Sequence, residues 1–305
     1  MTETAAHTQA LSRISRASGA FAMVAMDQRE SLRTMFAERL GTESPLEQRV
    51  NFKLAVARIL SPEASALLID AVEGLRPILD EGALAPTCGL IVAADELVQA
   101  RGGLVEDTRL DDGVDLAHAA ELGAAAAKLL VIWRPDRPAG PRAELVAEFL
   151  RRCRAAGLAG IVEGVVRPPA GVEEPAWSER EAALVEATRE FAAHRPDLYK
   201  AQVPLSGIGH PDEIAARCRQ LSDLLPCPWV VLSSGVSIDD FPAAVQAACR
   251  GGASGFLAGR AVWRDAIGDD PETPLRERSL PRLRRLAEIV DAEARPWRKA
   301  TAPAS

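Results

Sequence analysis

The chain has 305 residues, a formal net charge of −7, and 48% apolar side chains, few of them aromatic. That length fits two ordinary domains or one large α/β barrel, and the apolar share is enough for a substantial core. No basic stripe is present, which argues against a nucleic-acid partner, and no apolar run reaches the length of a membrane span.

Residues 1–18 are polar and read as an N-terminal arm or a first short helix. Phe21 to Met26 is a continuous apolar run, the mark of a strand covered on both faces, and it ends in Asp27-Gln28-Arg29. Residues 30–60 carry apolar positions at helical spacing, broken by Ser61-Pro62. ALLIDA (66–71) is the second predicted strand and ends near Asp70. CGLIVAAD (88–95) is the third and ends in Asp95. A loop rich in Gly and Asp is expected around 101–113. AAKLLVIW (126–133) is the fourth strand and carries Lys128. A Pro-rich loop over 134–141 precedes an amphipathic helix over 143–157, which Gly157 stops. LAGIVEGVVRPP (158–169) is the fifth strand, with Glu163 inside it. Residues 178–194 read as a helix, with Ser178 and Glu181 as a capping box. DLYKAQVP supplies the sixth strand and Lys200. A helix over 211–225, a strand in PWVVLSSGV (228–236), a helix over 239–252 and a strand in ASGFLAGRAVW (253–263) follow. The chain closes with a helix of about twenty residues, the length that its unbroken helical spacing allows.

Eight buried strands alternating with helices predict an α/β fold, a (β/α)8 TIM barrel, as a single domain over 1–305. Residues 1–13 and 297–305 are expected to be flexible tails. A doubly wound sheet is the competing architecture, but no GxGxxG follows the first strand.

Cys88, Cys153, Cys218, Cys227 and Cys249 are odd in number and form no CxxC, which suits free thiols in a reducing compartment. The N-terminus has no charged segment followed by an apolar core, so no secretory signal is read and a cytoplasmic location is expected. The four histidines, His7, His118, His194 and His210, show no ligand spacing, so neither a metal nor another cofactor is expected.

Among 36 Lys plus Arg only Lys53, Lys128, Lys200 and Lys299 are lysines, so a lysine retained in a strand is there for its amine. Burial favours the neutral, nucleophilic amine. The plain alternative is a buried ion pair, which applies to Lys128 with Glu163 as well as to Lys200. Lys128, Glu163 and Lys200 fall on three successive strands and can run an aldol cleavage. Lys200 would attack a ketone, Glu163 would serve as base and acid, and Lys128 would lower the pKa of Lys200 or orient Glu163. SSG (233–235) and AGR (258–260) end the last two strands with small residues, each expected to lead into a helix N-terminus. That is the barrel phosphate site, with Arg260 adding a charged fork.

With these residues in place the chain resembles the LacD-type class I aldolases, and within them the sulfosugar branch of sulfofructose 1-phosphate aldolases. The resemblance spans about residues 14–293. It rests on RASGAFAMVAMDQRE, LSPEASALLID, IVAADE, KLLVIWR, VVRPP, DLYK, WVVLSSGV and GASGFLAGRAVW. It implies cleavage of 6-deoxy-6-sulfofructose 1-phosphate to dihydroxyacetone phosphate and 3-sulfolactaldehyde, in sulfoquinovose catabolism. It also implies Lys200 as the Schiff-base lysine, assisted by Lys128 and Glu163. Asp27 and Gln28 would touch ketose hydroxyls, Ser234, Gly235, Gly259 and Arg260 would hold the phosphate, and Arg29 the distal anion. The sequence departs from the family pattern at Gly164, at Ala201-Gln202 and at Ala71-Val72-Glu73. Those changes leave open whether the distal anion is sulfonate or phosphate, so tagatose 1,6-bisphosphate is the alternative substrate. A barrel that senses a sugar phosphate without turnover is the alternative of a different class. Association into a homo-oligomer is expected by analogy with other barrels.

Overall fold

The computed structural model describes residues 3–99, 105–173 and 177–300. Eight parallel strands close into a barrel. They are β1 (Phe21–Met26), β2 (Ala66–Asp70), β3 (Gly89–Ala93), β6 (Ala124–Trp133), β7 (Ala159–Val166), β8 (Leu198–Ala201), β9 (Trp229–Val231) and β10 (Gly255–Ala258), and β10 pairs back to β1. Every apolar run expected to be a strand is one, because helices cover the outside and side chains fill the inside. Closure needs a glycine at Gly255: its φ is +138°, and a Cβ there would stand 1.9 Å from the Phe21 carbonyl oxygen.

The remaining two strands, β4 (Asp95–Gln99) and β5 (Val105–Leu110), form an antiparallel hairpin over the carboxyl end of the barrel. The expected loop around 101–113 lies partly outside the described residues, and 105–110 within it is strand. Cross-strand pairing stabilises this exposed, charged ribbon, which carries no apolar run to signal it.

Two apolar layers form. The outer one lies between strands and helices. The inner one fills the barrel with Met23, Leu68, Ile91, Ile161, Leu198 and Val230, among others. Leu11 and Ile14 join this inner cluster from below, so the Glu3–Arg13 helix leads into a plug at the amino end. Trp297 is buried in the same cluster, and its indole N–H donates to Ser15 Oγ at 3.2 Å. Ala10 and Leu11, inside the expected N-terminal tail, and Trp297, at the start of the expected C-terminal one, are thus buried; 301–305 lie outside the described residues.

Other boundaries moved for local reasons. The helical stretch over 30–60 is two helices, Glu30–Leu40 and Leu46–Leu60, because Gly41 takes a left-handed C-cap. The helix after β6 starts at Ala139, right after Pro138, inside the expected loop. The capping box at Ser178 is absent. The helix is Arg180–Ala192 with no side-chain cap, and Glu181 accepts the Leu205 N–H instead.

Candidate active site

A cavity of about 700 Å³ opens at the carboxyl ends of the barrel strands, where barrel enzymes carry their chemistry. Its floor is a charged layer. Glu163 and Lys200 are register partners on β7 and β8, so both side chains leave the sheet on the same side. Lys200 Nζ donates to Glu163 Oε2 at 2.8 Å. Lys128 on β6 sits one pleat lower, opposite Ile161, and its Nζ is 3.9 Å from Glu163 Oε2. Strand alternation puts Ile161 and Leu198 beneath Glu163 and Lys200, sets Val230 level with Lys200, and puts Ile132, Val165 and Leu232 above. Apolar packing around and beneath the layer leaves Lys128 and Lys200 only 1% and 5% exposed, while both still border the cavity.

Lys128 Nζ is held by two carboxylates, Asp27 Oδ2 and Asp95 Oδ2, each at 2.6 Å. Asp95 Oδ2 also accepts the Leu130 N–H at 2.9 Å. Burial alone would lower the pKa of Lys128, but the charges of Asp27, Asp95 and Glu163 outweigh it and raise the pKa above its ordinary value. The group stays an ammonium. The two acids diverge. Burial pushes Asp27 up, yet Lys128 and Lys200 pull it below the usual carboxylate range. For Asp95, burial together with the like charge of Asp27 wins over Lys128, and its pKa rises. Asp95 was visible in the sequence only as an acid ending an apolar run. Its target lies 33 residues on, a pairing that spacing cannot reveal.

The other expected residues distribute around this floor. Gln28, Arg29, Ser234, Gly235 and Arg260 line the cavity. Gln28 Oε1 is buried without a hydrogen-bond partner from the protein. Arg29 Nη2 donates to the Asp95 carbonyl at 2.6 Å, and its guanidinium lies 3.7 Å from Asp111 Oδ2, so it staples both feet of the β4–β5 hairpin. Arg260 Nη2 donates to Ser234 Oγ at 3.0 Å. Arg260 meets cavity water but is crowded by protein; that crowding, then the like charge of Arg264, lowers its pKa, and the guanidinium remains charged. Gly259 is not in the cavity wall. It is packed under β1, where a Cβ would meet the Ala25 carbonyl oxygen at 2.6 Å.

The expected helix starts hold only in part. The helix after Gly235 begins at Phe241, six residues on, and Arg260 opens a single turn, Arg260–Trp263. Neither turn feeds directly into a long helix, so side chains and loop backbone, not the start of a long helix, face the cavity at this point. The cavity also includes Arg167, which lies in VVRPP without an expected role there, and Arg180, which no motif marked.

Three of the four lysines are buried in ion pairs, including Lys53, which bonds Asp70 and approaches Glu73 at 3.4 Å beside the cavity. The scarcity of lysine therefore marks buried amines in general. Geometry separates Lys200 by its partners: its Nζ is paired with one carboxylate, the cavity-lining Glu163, whereas Lys128 is held between Asp27 and Asp95 and Lys53 lies between Asp70 and Glu73. Among the described residues no group of three or more His, Cys, Asp or Glu side chains could hold a metal ion; the acids converge on Lys128. An amine bonded to a carboxylate on a nearly buried floor, under a cavity lined by both cations and acids, can attack a carbonyl and shuttle the protons this requires.

Two sequence departures have structural reasons. A Cβ on Gly164 would stand 2.3 Å from the Tyr199 hydroxyl oxygen, so the residue after Glu163 is small because Tyr199 packs over it. Gln202 Oε1 accepts the Val166 N–H at 2.7 Å, tying β7 to the end of β8.

Comparison with known proteins identifies the family. The profile of the DeoC/LacD family aldolases matches residues 21–265. A tagatose 1,6-diphosphate aldolase of Listeria monocytogenes is 30% identical over 320 residues, covering 94% of this chain and 92% of the relative. Tagatose 1,6-diphosphate aldolase 1 of Enterococcus faecalis is 29% identical over 275 residues, covering 82% and 81%. These relatives carry the tagatose name, not that of the sulfosugar branch. A fructose-bisphosphate aldolase structure from Plasmodium falciparum superposes with a TM-score of 0.73 over 96% of both chains at 14% identity, a likeness of fold. The profile match and the 30% relative together place this chain in the DeoC/LacD family of aldolases, as a class I aldolase and carbon–carbon lyase.

Proposed function

We propose that this aldolase cleaves a ketose 1-phosphate through a Schiff base on Lys200. The observation that carries the reading is the 2.8 Å contact of Lys200 Nζ with Glu163 Oε2 on the cavity floor. The free amine adds to the C2 ketone, and loss of water gives an iminium. Glu163 takes the proton of the C4 hydroxyl, the C3–C4 bond breaks, and its electron pair passes into the iminium to leave an enamine. The aldehyde departs, C3 regains a proton, and water releases dihydroxyacetone phosphate and the free amine. Lys128, fixed as a cation by Asp27 and Asp95, holds Glu163 in place and stabilises negative charge beside it. Asp27 and the open acceptor of Gln28 suit ketose hydroxyls. Ser234, Gly235 and Arg260 suit the C1 phosphate.

The names of the relatives favour tagatose 1,6-bisphosphate as substrate, with glyceraldehyde 3-phosphate as the second product. The motif resemblance favours 6-deoxy-6-sulfofructose 1-phosphate, with 3-sulfolactaldehyde as the second product. Both carry an anion at the distal carbon, for which Arg29, Arg167 and Arg180 offer positive charge in the cavity. Turnover of the two purified substrates, with and without a chelator, separates them. Borohydride with dihydroxyacetone phosphate should trap one adduct, lost in Lys200→Ala; a full adduct on that variant would refute the assignment. A sensing barrel predicts affinity without product, and the paired amine and acid weigh against it.

A further inference from the structure

The segment after β8 holds an unusual backbone. Leu205 (φ 55°, ψ 21°) and Ser206 (φ 52°, ψ 26°) are both left-handed, and Gly207 follows at φ 71°. A residue with a Cβ is disfavoured in that conformation, which persists only where the surroundings impose it. Here they do. The Leu205 N–H donates to Glu181 Oε1 at 3.0 Å, and Arg180 is bonded to the same oxygen at 2.7 Å. On the other side Gly207 leans on the loop after β9 and the Phe241–Arg250 helix, where a Cβ would stand 3.0 Å from Val236 Cγ1 and from Ala244 Cβ respectively. The turn is clamped between the Arg180–Ala192 helix and the Ser233–Val236 loop.

That clamp aims one side chain. Ser206 lines the cavity together with Ser234, Gly235 and Arg260, and its Oγ lies 4.0 Å from where a Cβ on Gly235 would be. Gly235 is itself left-handed at φ 85°, so its backbone is open toward the Ser206 hydroxyl. We infer that Ser206 is a further arm of the anion seat: the strained turn presents its hydroxyl to a tetrahedral oxyanion, the ketose phosphate group, held by Ser234, Gly235 and Arg260. The inference rests on the reading of those three residues as the phosphate seat. Strain without a ligand contact would be pointless at Ser206, since a glycine could fill the position at lower conformational cost.

The test measures KM for the ketose phosphate, competitive inhibition by inorganic phosphate, and thermal stability in Ser206→Ala, Ser206→Gly and Arg260→Ala. Loss of one hydrogen bond to a charged oxyanion should raise KM and the phosphate inhibition constant about tenfold to a hundredfold in both Ser206 variants, with kcat little changed. Ser206→Gly alone should melt higher than the parent, because it releases the left-handed strain. Wild-type KM and phosphate inhibition in Ser206→Ala, alongside a clear loss in Arg260→Ala, would overturn the role of Ser206 and leave the seat standing. Unchanged phosphate inhibition in Arg260→Ala would remove the seat, and this inference with it. A Ser206→Gly variant that melts lower than Ser206→Ala would refute the strain.

Discussion

Asp27 and Asp95 share one ammonium, and their opposite shifts have different consequences. Asp27 is held below its ordinary range, so the stability it contributes is present above the unfolded value of about 3.9 and is lost as pH falls through the folded value. Asp27→Asn should therefore cost about 1–3 kcal/mol at pH 7 and less below pH 4, read by denaturant unfolding at both pH values. Lys128 is the reverse case. Its raised pKa means its contribution is complete below about pH 10 and fades only as pH rises through the folded value. Asp95 opposes folding when ionised, since its own pKa is raised. Its benefit is positional: Asp95→Asn loosens Lys128 and should lower kcat about tenfold to a hundredfold with KM little changed. An equal rise in KM would show that Asp95 acts on binding instead. Glu163→Gln removes the acid–base group itself. It should cut kcat by about 10²–10⁴ while borohydride still traps the Lys200 adduct. A parent-like kcat would exclude Glu163 as the base.

At the scale of elements, β7 and β8 set the chemistry because their register puts Glu163 opposite Lys200. The contact that keeps them level lies on the outer face, where Gly164 makes room for Tyr199. Gly164→Ala places a methyl against the Tyr199 hydroxyl and near Phe191. Overpacking of this kind costs about 1–3 kcal/mol. The strand should shift, lowering both the melting temperature and the yield of trapped adduct. An unchanged melt would mean that Tyr199 can move aside. The strands themselves were legible as unbroken apolar runs. The hairpin β4–β5 was not, because its residues alternate with neither period clearly, and its partner across the ribbon is the only reason it is extended. Glu181 shows the same limit. Its spacing from Ser178 matched a cap, yet it is committed to Leu205, a residue 24 positions away.

For the whole molecule, function and stability sit at opposite ends of the barrel. The carboxyl end carries buried charges and a cavity. The amino end is sealed by Leu11, Ile14 and Trp297. Trp297→Ala should destabilise by about 3–5 kcal/mol, as a large buried side chain is removed. Turnover at low temperature should stay near the parent value, because the plug is remote from Lys200. A loss of kcat without a drop in melting temperature would contradict that separation. All five cysteines are buried and free, with burial pushing Cys88, Cys227 and Cys249 up to about 12. They should resist alkylation in the folded protein and react once it is unfolded.

The order of strands and helices, the closed architecture and the three charged strand residues followed from the chain alone, since apolar period and burial of an amine are local properties. Which carboxylate grips Lys128, how Arg29 is spent on the hairpin, and why a serine is bent left-handed after β8 came only with the fold. Those contacts join residues dozens of positions apart, and their energy depends on water being kept out from several sides at once. A sequence shows which groups are available; only the closed barrel decides which of them meet.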